Sequence, residues 1–437
     1  TRRLAASVIL GSALSVAGAP QAVAQDDVEL ERINKRLNEL EQQLSGHQES
    51  RYALGPYIDK MGGRFQFDQT LRADADQALE DALTGGDKLE QGAEFRRVWF
   101  FVEGRLAPWL DYKLQLDFAG GVSARDIYIE AHDLGGFPSV RIGNFKEPLS
   151  LQEQTSSKYI SLMSRSMLAD EVGSQGYSNG IMLSDSFLSG RLNVAAGAFN
   201  PDFSNSSFDT GDGDTDAWAL STRLTSPVLY ENGGERVLHI GGFFSHRSVD
   251  SFTLGQEPEV HKTNDFMGGR VDDLNNRRIV GVEFAGVYRS AHIQTEYVRS
   301  TLDANTGFDP DIDTYYIQGG VFITGERRPY SKSSGSFGRV KPNQPFTGSG
   351  NGAGAWEFVA RYSELDAEEM ADAGNFSGTL PGLAPTSRAN VAQTRVATAG
   401  LNWYPVSHAK WMLNYVYADQ DALGEASYLT SRFQVDF

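Results

Sequence analysis

The chain has 437 residues, no cysteine, and a formal charge of −18 from 57 acids and 39 lysines and arginines. Without cysteine there is no disulfide, thiolate metal centre or thiol nucleophile, and the acidic balance argues against a nucleic-acid partner. Glycine is frequent at 46, aromatics reach 11% and mean hydropathy is −0.37, so a membrane could be crossed only by a closed β-barrel.

Residues 1–24 read as a secretory signal peptide. Arg2 and Arg3 precede an apolar run from Leu4 to Ala19, and Ala22-Val23-Ala24 is a small-residue cleavage pattern. Within 25–50, Leu30, Ile33, Leu37, Leu40 and Leu44 repeat at 3, 4, 3, 4 spacing, the seam of a short periplasmic coiled coil and linker. Such a helix is too short to stand alone in water. It either joins the protomers of an oligomer, which is the favoured reading, or lies on the barrel.

Residues 51–437 alternate apolar and polar positions in about sixteen segments, the pattern of strands facing lipid outward and water inward. These are 62–72, 94–106, 111–118, 125–131, 139–145, 177–185, 190–199, 216–225, 236–247, 277–288, 291–300, 313–325, 355–365, 391–404, 408–418 and 428–437. The fold class is therefore an all-β transmembrane antiparallel barrel. An even strand count places both termini in the periplasm. Short turns alternate with long loops at 73–92, 146–176, 200–215, 248–276 and 366–390. Segment 326–354 is long where a short turn is due, so it is either an extension on the short-turn side or a strand miscount. The last strand alternates Leu429, Phe433, Val435 and Phe437 with Thr430, Arg432, Gln434 and Asp436. A terminal Phe437 marks the chain for the barrel-assembly machinery. The belt of Trp403, Tyr404, Trp411, Tyr415 and Tyr417 fits the interface with outer-membrane lipid and lipopolysaccharide.

In strand 111–118 the lipid face is Tyr112, Leu114, Leu116 and Phe118. The same register elsewhere turns fourteen cations inward: Arg64, Arg72, Arg97, Arg105, Lys113, Arg141, Arg191, Arg223, Arg247, Arg277, Arg289, Arg361, Lys410 and Arg432. Nine acids share that face: Asp68, Glu103, Asp117, Asp126, Glu130, Glu283, Glu296, Glu357 and Asp436. The lumen is thus modestly positive, while the negative charge sits in loops such as 73–92 and 200–215. Loop 146–176, after the fifth strand, has the position of a constriction loop and offers Lys146, Lys158 and Arg165. Rings of Arg and Lys draw anions into a pore, and Arg grips phosphate with paired donors. The anion-contacting set is therefore Arg97, Arg105, Lys113, Arg141, Lys146, Lys158, Arg165, Arg223 and Arg361. The competing reading of each is a wall-bracing pair, with Glu103–Arg105 and Glu357–Arg361 the nearest in sequence. Asp212 to Asp216 is an acidic loop in which Ala217 replaces the glycine of a calcium hand. The histidines have no metal spacing and His239, His246 and His292 lack a nucleophile partner, so no metal, cofactor or catalytic set is expected.

Several stretches resemble the phosphate-selective porin O and P family of outer membranes. They are EFRRVWFFVEG (94–104), IGNFKEP (142–148), 315–330 with its Thr-Gly-Glu-Arg-Arg core, GAWEFVARYSELD (354–366), LNWYP (401–405) and the closing RFQVDF. The resemblance implies a trimeric sixteen-stranded barrel passing small anions of the phosphate class, and accounts for 326–354 as a family feature. It also implies a ladder of arginines leading to a lysine-lined constriction, which has no position-by-position match here. The alternative is a general or weakly cation-selective diffusion porin, with facing rows of acids and bases at its narrowest point.

Overall fold

The computed structural model describes residues 55, 57–85, 87–169, 176–200 and 217–437. The signal segment, the heptad of 26–45, most of the acidic loop 200–215 with Asp212 to Asp216, and the side chain of Arg72 lie outside the described residues.

From Lys60 to Phe437 the chain forms a closed antiparallel barrel of sixteen strands. They are β1 Lys60–Ala75, β2 Ala93–Ala107, β3 Leu110–Asp117, β4 Ser123–Ala131, β5 Ser139–Phe145, β6 Ser178–Phe187, β7 Leu192–Asn200 and β8 Ala219–Glu231. The second half is β9 Arg236–Ser248, β10 Leu274–Tyr288, β11 Ala291–Ala304, β12 Asp311–Phe322, β13 Ala355–Asp366, β14 Thr394–Val406, β15 Ala409–Gln420 and β16 Gly424–Asp436. Each expected strand is present, with ends displaced by a few residues. β1 closes on β16 in the register Arg64↔Asp436.

Alternation makes the two faces chemically distinct. On β10, Val280 and Val282 are 52% and 56% exposed, while Arg277 and Glu283 between their neighbours are 3% exposed. Apolar side chains so uncovered on every strand call for lipid. No helix among the described residues is long and apolar enough to cross a membrane. Closure also depends on two missing side chains. Gly63 and Phe437 exchange backbone hydrogen bonds of 3.0 and 3.1 Å. A Cβ on Gly62 would lie 2.1 Å from the Phe437 carbonyl oxygen, and one on Gly63 would lie 2.7 Å from its ring. The glycine pair thus seats the terminal aromatic.

Long loops gather at one end of the barrel and short turns at the other, except after β12. Helix α1, Gln77–Thr84, lies in the first long loop. A three-stranded sheet outside the barrel joins 251–256, 267–272 and 376–378 from two other loops. Segment 323–354 is no miscounted strand. It enters from the short-turn end, forms a two-stranded hairpin (Tyr330–Ser331 with Ser336–Phe337), and packs Tyr330 and Phe337 against Leu151. Leu151 belongs to the loop after β5, so insertions from both ends meet inside the lumen.

Candidate anion passage

The loop after β5 folds inward because the wall satisfies its backbone, as any buried chain requires. Ser150, at the start of the one-turn helix α2 (Leu151–Gln154), accepts hydrogen bonds from the Gln152 and Glu153 amides. The Glu296 carboxylate of β11 accepts from the amides of Leu151 and Gln152 at 2.8 and 2.9 Å. Further along, wall side chains donate to one loop carbonyl after another: Gln66 to Ser157, Gln434 to Lys158, Lys410 to Ile160, Asn402 to Ser161 and Arg432 to Met163. Arg361 closes the series on Ser164 and Arg165, 3.1 Å each.

These straps remove several expected pore cations from the passage. Arg361 is buried and ion-paired with Glu259, a loop acid. Arg223 is buried against Glu283 at 2.8 Å and donates to the carbonyls of Ser334 and Gly335 in the hairpin segment. Arg247 pairs with Glu147 of the inserted loop at 3.0 Å, and Arg432 with Asp68 at 2.5 Å. A desolvated guanidinium needs a carboxylate or several carbonyls, and the inserted segments supply both. Arg105 is corrected differently. It stands half exposed at the short-turn rim, 3.2 Å from Asp111. Arg191 lies in the exposed turn between β6 and β7, and Arg289 in the β10–β11 turn beside Glu235 at 3.7 Å, so neither faces the lumen. The pairings expected from sequence proximity also change. Glu103 faces Lys60 at 3.5 Å and Glu357 binds His292 at 2.8 Å. Cross-strand neighbours are closer than side chains two or four apart on one strand.

Six of the nine expected contacts do converge, on the wall formed by β1 to β6 and the loop against it, four in one cavity and two in another. A 240 Å³ cavity there is lined by Lys60, Arg64, Lys113, Arg141, Lys146 and Lys158 among the cations, with Glu103, Asp126 and Glu153 as the acids. A second cavity of 260 Å³, toward the long-loop end, is lined by Arg96, Arg97 and Arg165 against Glu257, Glu259 and Asp265. The inner cavity therefore has twice as many cations as acids, and the outer one is balanced. Burial pushes the Asp265 carboxyl up.

Pairing within the passage is uneven. Lys113 binds Asp126 at 2.5 Å and Arg141 binds Glu130 at 2.5 Å. Lys146 and Arg165 share the single Glu153 carboxylate at 2.8 and 3.0 Å. Arg64, Arg97 and Lys158 have no carboxylate within ion-pair distance among the described residues. Arg64 donates to the Ser157 hydroxyl at 2.9 Å and stacks 3.8 Å from the Trp99 ring centroid. Arg97 donates to Gln66 at 3.0 Å. Lys158 lies 5.5 Å from the Tyr159 ring centroid and 5.9 Å from that of Phe101. The Nε groups of Arg64 and Arg125 and the indole N–H of Trp99 are buried donors without a partner among the described residues. Burial and nearby cations lower both loop lysines to about 8, Lys146 beside Arg165 and Lys158 beside Arg64 and Arg339. Burial pushes the Glu153 carboxyl up, but Arg165 and Lys146 outweigh it and hold it below the usual range.

Sequence reasoning missed Glu147, Glu153 and Glu259, the loop acids that decide which wall cations stay available. It also missed Trp99, whose ring organises Arg64. The signal for Glu153 was its place three residues after Ser150, a helix-capping spacing inside the inserted loop.

Comparison with known proteins agrees with this architecture. An uncharacterized protein of Caulobacter vibrioides is 27% identical over 376 residues, 83% of this chain and 69% of the relative. The anion-selective porin from Comamonas acidovorans superposes with a TM-score of 0.52 at 11% identity, covering 86% of this chain and 99% of that one. OprB from Pseudomonas putida gives 0.52 at 11% identity, covering 87% and 94%. At such identities these structures speak for the fold alone. The family model described as phosphate-selective porin O and P matches residues 61–437, the whole barrel with its inserted loop and its hairpin. A closed barrel with a cation-lined opening past two insertions is a channel of the Gram-negative outer membrane, and the chain belongs to the phosphate-selective porin O and P family.

Proposed function

We propose that the channel is selective for small anions of the phosphate class, and that they pass along the β1–β6 wall. The observation that carries this is the surplus of cations in the inner cavity, where Arg64 and Lys158 have no carboxylate within ion-pair distance among the described residues. A narrow passage with low-dielectric walls concentrates the field of such groups, and buried unpartnered N–H donors favour an oxyanion. Arg97, Lys113, Arg141, Lys146, Lys158 and Arg165 are the proposed contacts, joined by Arg64. Arg105, Arg223 and Arg361 are not among them.

The chain works as a homotrimer with both chain termini periplasmic, joined through residues 26–45 and embedded in outer-membrane lipid and lipopolysaccharide. Assembly reads the exposed Phe437. The same geometry bears on the general-porin reading: Lys113–Asp126 and Lys60–Glu103 are facing acid–base pairs. The reversal potential of single trimers under a KCl gradient separates the two. Anion selectivity with phosphate block of the chloride current supports the phosphate-class passage; weak or cationic selectivity without block supports the general porin.

A further inference from the structure

We propose that Glu153 determines specificity as the pore's built-in counter-anion. Its carboxylate occupies the place between Lys146 and Arg165 that a permeating oxyanion would otherwise take, and so sets how fast that anion escapes. This rests on the anion-passage reading above.

Glu153 stands where the two cavities meet. It lines the inner one with Lys146, while Arg165 lines the outer one. Its Oε2 is 2.8 Å from the Lys146 ammonium and its Oε1 is 3.0 Å from the Arg165 Nε. Both carboxylate oxygens thus face a cation, one toward each cavity, as two oxygens of a bridging phosphate would. Arg97 adds its charge at this junction, and Arg64 and Lys158 line the inner cavity, none of the three ion-paired with a carboxylate among the described residues. Glu153 is therefore the carboxylate that a passing anion meets between Lys146 and Arg165.

A brace would use the same contacts, but the backbone here does not need the carboxylate. Lys146 also donates to the Glu153 carbonyl at 2.8 Å. Arg165 donates to the carbonyls of Gln152 and Thr155, both at 3.0 Å. The helix turn itself is pinned by Glu296 and Ser150. With the Glu153 charge removed, both cations keep an acceptor and stay in place, now free for a mobile anion. Conduction needs a site that binds strongly enough to admit an ion and weakly enough to release it. The fixed carboxylate supplies the second half of that condition by competing for the same two cations.

The test is inorganic phosphate block of the chloride current through trimers of the full chain, with Glu153→Gln and Glu153→Ala beside wild type. Trimer integrity is checked by heat resistance on a gel. The expected result is a half-blocking phosphate concentration about tenfold lower in both variants, with phosphate dwell times lengthened to match. If Glu153 is only a brace, the loop loosens, and block weakens while conductance rises. That outcome, or an unchanged block, overturns the proposal. A wild-type channel with no anion selectivity and no phosphate block would instead remove the anion reading on which the proposal stands.

Discussion

Replacing Lys158 by glutamine removes a charge from the inner cavity that no described carboxylate pairs directly. For a monovalent anion at about 5 Å in a partly hydrated passage of effective dielectric about 40, one such charge is worth roughly 1.7 kcal/mol. The half-blocking phosphate concentration should then rise roughly tenfold to twentyfold. Lys146→Gln should cost less, because Lys146 already shares Glu153 with Arg165. Arg105→Gln should change the block by less than about twofold, since Arg105 is a solvent-screened rim residue paired with Asp111. Planar-bilayer recordings with phosphate titration give all three values in one series. An Arg105 effect equal to that of Lys158, or no Lys158 effect, would refute the placement of the passage.

The buried Arg361–Glu259 pair anchors the inner end of the inserted loop. Breaking it with Glu259→Gln should destabilise that anchor by about 3–5 kcal/mol, seen as new protease cleavage within 146–176 while the barrel stays folded. Because Lys146 and Lys158 are lowered to about 8, they lose charge as pH rises through that value. Anion selectivity should therefore fall between about pH 7 and pH 9, and sulfate, whose own charge is constant there, is the anion to use; selectivity that rises with pH would contradict the assignment. Replacing residues 330–337 by a short Gly-Ser linker removes the hairpin that Arg223 and His239 hold in the lumen. Single-channel conductance should increase, and an unchanged value would show that the hairpin does not fill the barrel.

The strands were readable because alternation is a local property: Phe65 against Arg64 and Gln66, or Val280 against Arg277 and Ile279, declares its face within a few residues. The division into open and sealed cations was not. It depends on partners far away in the chain, such as Asp68 with Arg432 and Glu259 with Arg361, and on loop carbonyls that no register predicts. Lys146, Lys158 and Arg165 were found by position alone, since a long loop after the fifth strand lies near enough to enter the lumen. Their inequality was not, because it follows from where one carboxylate, Glu153, points. Helix α1 was hidden in a loop read only for its charge. Segment 323–354 stood out by length, and its role came from the contact of Tyr330 and Phe337 with Leu151.

The chain has no cysteine, so a single introduced thiol reports its own surroundings. Ser156 lines the inner cavity, whereas Thr398 is buried against Glu259 and lines neither cavity. The decisive measurement is the rate at which anionic and cationic thiosulfonate reagents reduce the current of Ser156→Cys and Thr398→Cys trimers. An anion passage along β1 to β6 predicts fast modification of Ser156→Cys by the anionic reagent, slower modification by the cationic one, and no effect at Thr398→Cys. Equal rates for the two reagents at Ser156→Cys, or block at Thr398→Cys, would contradict it.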